Sequence, residues 1–241
     1  MDFGALTESV ERLRTALLEP TGLNLIEDVS LDLPNGEDGE AVFLKLVLWS
    51  YVLWFEACQP VGRHLMSIVR NASPEDQKVA ARAFQDIQNL RTFHAHNLRE
   101  SSTGDQHKLS QAKAWLVENG ATKQDWAACV AKLTASLITA LNILRNHWSR
   151  LMESPEDAPT AVQALTEALE RNWEPYLFDG IVDEVASTLA LTDFDAVKYR
   201  TVRLDDWRKA TALFQDRMSA EAALRRMIHQ ELLAKFGAIP S

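Results

Sequence analysis

Three side chains near the middle of this 241-residue chain have the types and spacing needed for proton-transfer chemistry on an anion. Arg91, His94 and His96 lie in residues 90–98, LRTFHAHNL, where a helical pattern ends. A guanidinium stays charged at any cellular pH and can hold a phosphate through two parallel hydrogen bonds. An imidazole, with an ordinary pKa of about 6.5, can take up and return a proton near neutrality. Together these groups could cleave a phosphodiester without a metal ion.

This segment resembles the catalytic motif of the HEPN superfamily, in which an Arg is followed, after four to six residues, by a His. Arg91 and His96 fit the motif with four residues between them, and the apolar Ile87 and Leu90 precede the Arg. The resemblance covers roughly residues 40–150. It implies an all-helical, usually dimeric protein, and many members are metal-independent endoribonucleases of toxin–antitoxin or anti-phage systems.

The resemblance also implies a role for each residue of the motif. His96 would transfer protons to and from the ribose oxygens, and Arg91 would stabilise the charge of the phosphorane. Thr92, His94 and Asn97 are supporting candidates, and His94 shares a helix face with Arg91, whereas His96 would lie about 140° away on an unbroken helix. Two protomers about a two-fold axis would bring two Arg and two His into one composite cleft. We therefore expect a homodimer.

Two positions depart from the family pattern. Many members carry Asn directly after the Arg, where this chain has Thr92. Others carry Tyr two residues after the His, as a target for modification by a nucleotidyltransferase antitoxin, and here that position is Leu98. Control of the protein by that modification is therefore not expected, although an antitoxin or another defence-system protein remains an expected partner.

The net charge of −9 argues against a protein that binds nucleic acid through its overall electrostatic field. RNA, either tRNA or mRNA, would have to be bound locally. Basic residues do cluster in the sequence around the motif, and they are Arg63, Arg70, Arg91, Arg99, Lys108 and Lys113. Of these, Arg99, Lys108 and Lys113 are the candidate RNA contacts nearest the motif on its C-terminal side.

A zinc site is the alternative use for the imidazoles of His94, His96 and His107. On a helix, however, His94 and His96 point to nearly opposite sides, and no Cys, Asp or Glu forms a recognised ligand pattern with them. We therefore expect no metal site and no cofactor.

The composition favours a protein that folds in a reducing, cytoplasmic environment. Cys58 and Cys129 are isolated thiols, and the N-terminus shows no basic and apolar leader. The uncharged run Leu46–Phe55 is far shorter than the roughly 20 residues of a membrane span, so we expect a core helix and no membrane association. Trp49, Tyr51 and Trp54 within that run fit interior packing better than a base-stacking platform.

Helical patterns extend along the whole chain and predict an all-α fold, with an HEPN-like helical bundle over residues 1–152 and a helical accessory region over residues 160–241. The two-proline segment Ser154–Pro159 is the expected linker. We expect a helix from Ser73 to the motif, with Val79, Ala83, Ile87 and Leu90 buried, and a long helix over Trp126–Met152.

Other boundaries are expected as follows. The first helix covers Val10–Leu18, is capped by Thr7 or Ser9 and ends before Pro20. The second covers residues 41–58 and is interrupted by Pro60 and Gly62. Residues 197–202 are rich in β-branched side chains and suggest an extended segment, and Ser219 caps the last helix.

A second class of function fits the same sequence. The chain could be a non-catalytic HEPN-like helical scaffold that binds a nucleotide or a protein partner, with Arg91 as an anion contact and both His residues structural. The acidic composition favours this alternative.

Overall fold

The computed structural model describes residues 3–34, 39–95, 103–171, 173, 175–192, 194–214 and 217–237. Over these residues the chain is all-α, as the sequence predicts, and it forms ten α-helices and no strand. The helices are α1 (Gly4–Thr21), α2 (Glu40–Val52), α3 (Gln59–Ala72), α4 (Pro74–Ala95), α5 (Thr103–Glu118), α6 (Trp126–Met152), α7 (Asp157–Arg171), α8 (Pro175–Thr188), α9 (Ala196–Thr211) and α10 (Arg217–Phe236).

The chain divides into two compact units, Met1–Leu165 and Thr166–Ser241. The division falls within α7 rather than in the segment Ser154–Pro159, of which only the first residues lie between helices.

Helix α6 is the centre of the first unit and packs against α1, α2, α3 and α4. Its bounds are those predicted. The side chain of Asp125 caps its start by accepting a hydrogen bond of 3.0 Å from the backbone N–H of Ala128. An apolar stripe is buried along its length, and includes Val130, Leu133, Leu137, Leu141, Leu144 and Trp148.

Helix α6 is also long and apolar enough to cross a membrane by length and composition alone. Its apolar stripe is buried, and the helix packs against four helices of the first unit. The structure is compatible with a soluble protein. Cys58 and Cys129 are buried free thiols, and burial raises the pKa of the Cys58 thiol to about 12.

Helix α1 continues through Pro20, so the predicted end before this proline is wrong, and Thr7 and Ser9 lie inside the helix rather than at its cap. A proline inside a helix leaves the carbonyl four residues earlier without its usual N–H donor. That carbonyl belongs to Ala16, and it accepts a hydrogen bond of 2.9 Å from the indole N–H of Trp148. This tertiary hydrogen bond replaces the one that the proline removes. Helix α1 ends instead at Thr21, and Gly22, whose φ is 69°, is its C-cap.

Helices α2 and α3 are joined by a π-helical turn, Leu53–Ala57. The helical run that begins at Glu40 ends near residue 58 as predicted, but the break lies at Cys58 and not at Pro60 and Gly62. Pro60 lies in the first turn of α3, where its missing N–H has no helical partner to lose. Gly62 lies against the ring of Trp54, and a Cβ there would come within 2.9 Å of it. Trp54 in turn stacks on Phe84 of α4.

Helix α4 begins where predicted, since the Ser73 hydroxyl accepts a hydrogen bond of 3.2 Å from the N–H of Asp76. Ala83, Ile87 and Leu90 are buried as expected. Val79 is 50% exposed, so its place in the buried stripe is wrong. Ala80 and Phe84 are buried instead, which shows that the stripe begins one residue further along.

The second unit has its own core, formed by α8, α9 and α10. Residues 197–202 are helical within α9, so the predicted extended segment is wrong. Asp195 caps this helix by accepting a hydrogen bond of 2.9 Å from the N–H of Lys198, and the cap outweighs the weak helix preference of the β-branched residues. Ser219 lies inside α10 and is not its cap.

Candidate functional site

The C-terminal turn of α4 carries the described part of the predicted motif, and Arg91 is its permanent charge. The guanidinium carbon of Arg91 lies 4.7 Å from the centre of the Tyr51 ring, and both residues are half-buried. Tyr51 is in the last turn of α2, and its ring stacks at 4.8 Å on Phe55 of the π turn. The aromatic side chains therefore fix the position of the arginine at the end of α4.

This contact is compatible with anion binding. Stacking uses the flat face of the guanidinium, whereas a phosphate oxygen is bound by the N–H groups at its edge. Tyr51 was expected in the core, and the structure instead places it where it supports the arginine of the motif. The neighbouring Trp49 and Trp54 are buried, as interior packing predicts.

Thr92 and His94 are directed to protein groups. The Thr92 hydroxyl donates a hydrogen bond of 2.7 Å to the carbonyl of Gln88, one turn earlier in the same helix. The His94 ring packs edge-on against Phe93 and Phe43, with centroids 4.7 and 6.1 Å apart. Arg91 and His94 thus contact different aromatic rings, although the helix places them one turn apart.

The imidazole of His94 is held in its neutral form. Its Nε2 atom is buried and has no hydrogen-bond partner among the residues that the structure describes. Burial lowers the pKa of His94, and the carboxylate of Glu40 opposes this shift only in part. A neutral ring with one unsatisfied nitrogen suits an aromatic pocket better than the contact with a phosphate.

Of the remaining predicted residues, only Lys108 and Lys113 lie within the described part of the chain. His96, Asn97 and Arg99 lie outside the described residues, and His96 follows the last residue of α4 directly. Lys108 is half-buried and Lys113 is exposed on α5. Five residues apart on a helix, they lie about 140° from each other around its axis, so they do not form one basic face.

A chain of side-chain amides next to Arg91 was missed by the sequence analysis. Asn89 is 1% exposed. Its side-chain oxygen accepts a hydrogen bond of 2.9 Å from the side-chain amide of Gln85, and its amide nitrogen donates one of 2.7 Å to the side-chain oxygen Oε1 of Gln111. The Gln111 amide then lies 2.9 Å from Nε2 of His107.

This amide chain joins α4 to α5 at the level of the motif. The signal in the sequence was a polar Asn89 at a position between two buried apolar residues, because a buried amide needs partners. Its partners lie on α5, and the spacing along the chain does not reveal them.

No group of three or more His, Cys, Asp or Glu side chains that could hold a metal ion occurs in the described part of the chain. No protein-family model matches the sequence, and comparison with characterised proteins and with solved structures found no match.

Proposed function

We propose that the unit formed by residues 1–165 is a metal-independent endoribonuclease of a toxin or anti-phage defence type. Arg91 binds the scissile phosphate and His96 transfers the protons. The ribose 2′-hydroxyl attacks the phosphorus after it loses its proton to a base, the 5′-oxygen leaves after it gains a proton, and the guanidinium stabilises the added charge of the phosphorane.

One observation carries this proposal. The arginine of the motif is fixed on the Tyr51 ring at the end of α4, and the histidine of the motif follows that end directly. The contact with the Tyr51 ring limits the movement of the guanidinium, and a positioned charge is a source of electrostatic catalysis.

The assembly and setting belong to the same proposal. A single motif offers few catalytic groups, so a homodimer supplies two Arg and two His to one cleft. We propose a tRNA or mRNA substrate, no cofactor, a cytoplasmic location, and a partner protein of antitoxin or defence type that restrains the enzyme in its host.

The surroundings of His94 and Thr92 favour one alternative function. The neutral, half-buried His94 and the internally bonded Thr92 leave fewer polar groups for the reaction. A non-catalytic helical scaffold, which binds a nucleotide or a protein through Arg91, is therefore the second candidate.

A cleavage assay separates the two. Labelled tRNA and mRNA are incubated with excess EDTA and the wild-type protein, His96→Ala, or His229→Ala as a matched control in the second unit. The nuclease proposal predicts chelator-resistant cleavage by the wild type and by His229→Ala, and its loss in His96→Ala. Intact RNA at high wild-type concentration would favour the scaffold.

A further inference from the structure

A groove between α3 and α4 lies beside the motif and has a composition unlike that of the rest of this acidic chain. Its volume is about 390 Å³, and its rim carries Arg63, Arg70, Gln77, Gln85 and Gln88. Trp54 and Phe84, stacked on each other, form its floor together with Phe55. None of the described residues that line the groove carries a carboxylate.

The larger cleft of the first unit differs in its charges. It has a volume of about 610 Å³ between α4, α5 and α6, and Lys78, Arg82 and Lys132 line it together with Asp86 and Glu118. Arg82 is ion-paired to Asp86 at 2.9 Å. Two carboxylates would repel a polyanion from this cleft, whereas the described lining of the α3–α4 groove includes two arginines and three glutamines and no carboxylate.

The α3–α4 groove is continuous with the motif through two contacts. Phe55 at its floor stacks on Tyr51, and the Tyr51 ring carries the Arg91 guanidinium. Gln88 on its rim lies one turn before Thr92, to which its carbonyl is hydrogen-bonded. A ligand in the groove can therefore reach Arg91 without leaving the surface of the first unit.

The geometry also suits one kind of ligand. Arg63 and Arg70 are exposed and lie two turns apart on α3, about 10 Å along its axis, a separation that suits two different phosphates. The half-buried ring of Phe55 offers a face for one base, and the three glutamines offer donors and acceptors for base edges. Aromatic stacking combined with a basic rim is typical of binding to single strands, whose bases are not paired.

We propose that the α3–α4 groove binds a single-stranded segment of the RNA substrate, in the same strand whose scissile phosphate is bound by Arg91. Arg63 and Arg70 bind two phosphates of this strand, and Phe55 stacks on a base. The inference rests on the proposed function for the identity of the ligand, and it adds the segment of substrate that precedes or follows the cleaved bond.

The test is a binding measurement that does not require cleavage. A fluorescent single-stranded RNA of about 12 nucleotides, a length within the usual site sizes, is titrated with His96→Ala by fluorescence anisotropy at several salt concentrations. The same titration is made with three further variants, each of which also carries His96→Ala. The first has Arg63→Ala and Arg70→Ala, the second has Arg63→Lys and Arg70→Lys, and the third has Phe55→Ala. The matched control combines His96→Ala with Lys123→Ala and Lys132→Ala, which removes the same charge outside the groove.

The proposal predicts that the two arginine-to-alanine changes weaken binding about tenfold or more and reduce the slope of log K against log salt by about 1.4, the value for two lost phosphate contacts. The lysine pair restores the slope but not the full affinity, because lysine does not bind phosphate through a planar fork. Phe55→Ala weakens single-strand binding about fivefold or more. The control binds like the parent, and a duplex of the same sequence binds more weakly.

Two results would overturn the proposal: an arginine double variant that binds like the parent, or a lysine control that loses the affinity instead. Thermal unfolding of each variant checks that the fold is intact. The cleavage assay gives an independent result. Cleavage by the wild type with no effect at the groove would reject only the groove, whereas groove-dependent binding without cleavage would reject only the nuclease.

Discussion

Each end of α4 lies at an imidazole, and the two imidazoles differ in their hydrogen-bond partners. At the start of the helix, His147 of α6 forms a hydrogen bond of 2.8 Å with the carboxylate of Asp76. At its end, the Nε2 atom of His94 is buried without a hydrogen-bond partner in the described part of the chain, and Arg91 is stacked on Tyr51.

The first arrangement is that of a structural pair. His147 is 6% exposed, and its ring connects the core helix α6 to the first turn of α4. Asp76 also lies in the first turn of α4, where the helix dipole favours a negative charge. Each side chain thus satisfies one polar atom of the other.

The second arrangement leaves the buried Nε2 atom of His94 without a partner among the described residues, one turn after Arg91. A buried nitrogen without a partner lowers the free energy of unfolding. The difference suggests that α4 is fixed by its first turn and that its last turn is the part available for chemistry. Changes at the two ends should therefore have opposite consequences.

The largest expected effect is on activity at the end of the helix. Arg91→Ala should reduce metal-free RNA cleavage by about 10²- to 10³-fold, the usual effect of removing one group that stabilises a transition-state charge. Arg12→Ala is the matched control, because Arg12 is an exposed cation ion-paired to Glu8 on α1. Initial rates at saturating RNA measure the effect, and equal rates for the two variants would remove Arg91 from the reaction.

The next effect is on stability at the start of the helix. His147→Phe should lower the free energy of unfolding by roughly 1–3 kcal/mol, because it removes a buried hydrogen bond and places a larger ring in a packed core. Urea unfolding measures this loss. Cleavage by the remaining folded protein should be unchanged, and an unaltered unfolding midpoint would show that the pair with Asp76 is not structural.

The same substitution at the other end should act in the opposite direction. His94→Phe replaces a ring with an unsatisfied nitrogen by an apolar ring in an aromatic pocket, so the free energy of unfolding should rise by about 0–1 kcal/mol. Urea unfolding beside His147→Phe makes the comparison direct. A loss as large as that of His147→Phe would contradict the account, and a loss of cleavage would make His94 an imidazole of the reaction.

The smallest effect is on the acid sensitivity of the fold. The hydrogen bond with His147, aided by Ser73, lowers the pKa of Asp76. A carboxylate with a lowered pKa stabilises the fold above its unfolded pKa of about 3.9, and this stabilisation is lost as the pH falls through the folded pKa. Melting temperatures from pH 7 downward should therefore fall more steeply in acid for the wild type than for Asp76→Asn.

His147→Phe provides the control for that titration. Asp76 has lost its first partner in this variant but keeps Ser73, so the acid branch of its curve should lie between those of the wild type and Asp76→Asn. Parallel curves for all three proteins would show that the bond between Asp76 and His147 contributes nothing to the pH dependence.

The sequence predicts the elements whose signals are local. The bounds of α6 follow from the Asp125 cap and from apolar residues at a spacing of three and four, and both signals lie within the helix itself. The start of α4 at Ser73 is predictable for the same reason. Arg91 could be singled out because its charge and its place after the buried stripe are visible in the sequence.

Features that depend on distant residues could not be predicted. Helix α1 passes Pro20 because Trp148, 132 positions after Ala16, donates a hydrogen bond to the Ala16 carbonyl. Arg91 meets Tyr51 because the chain turns through a π-helical segment between α2 and α3, and no local pattern signals such a turn. The partners of Asn89 likewise lie on another helix.

The chemical ends of the RNA products test the central claim most directly. The wild-type protein is incubated with a defined RNA in excess EDTA, and the ends are identified by mass spectrometry beside those from Arg91→Ala. Attack by the 2′-hydroxyl predicts a 2′,3′-cyclic phosphate and a 5′-hydroxyl from the wild type, and neither from the variant. Products with a 3′-hydroxyl and a 5′-phosphate, or cleavage that requires added Mg²⁺, would contradict the account.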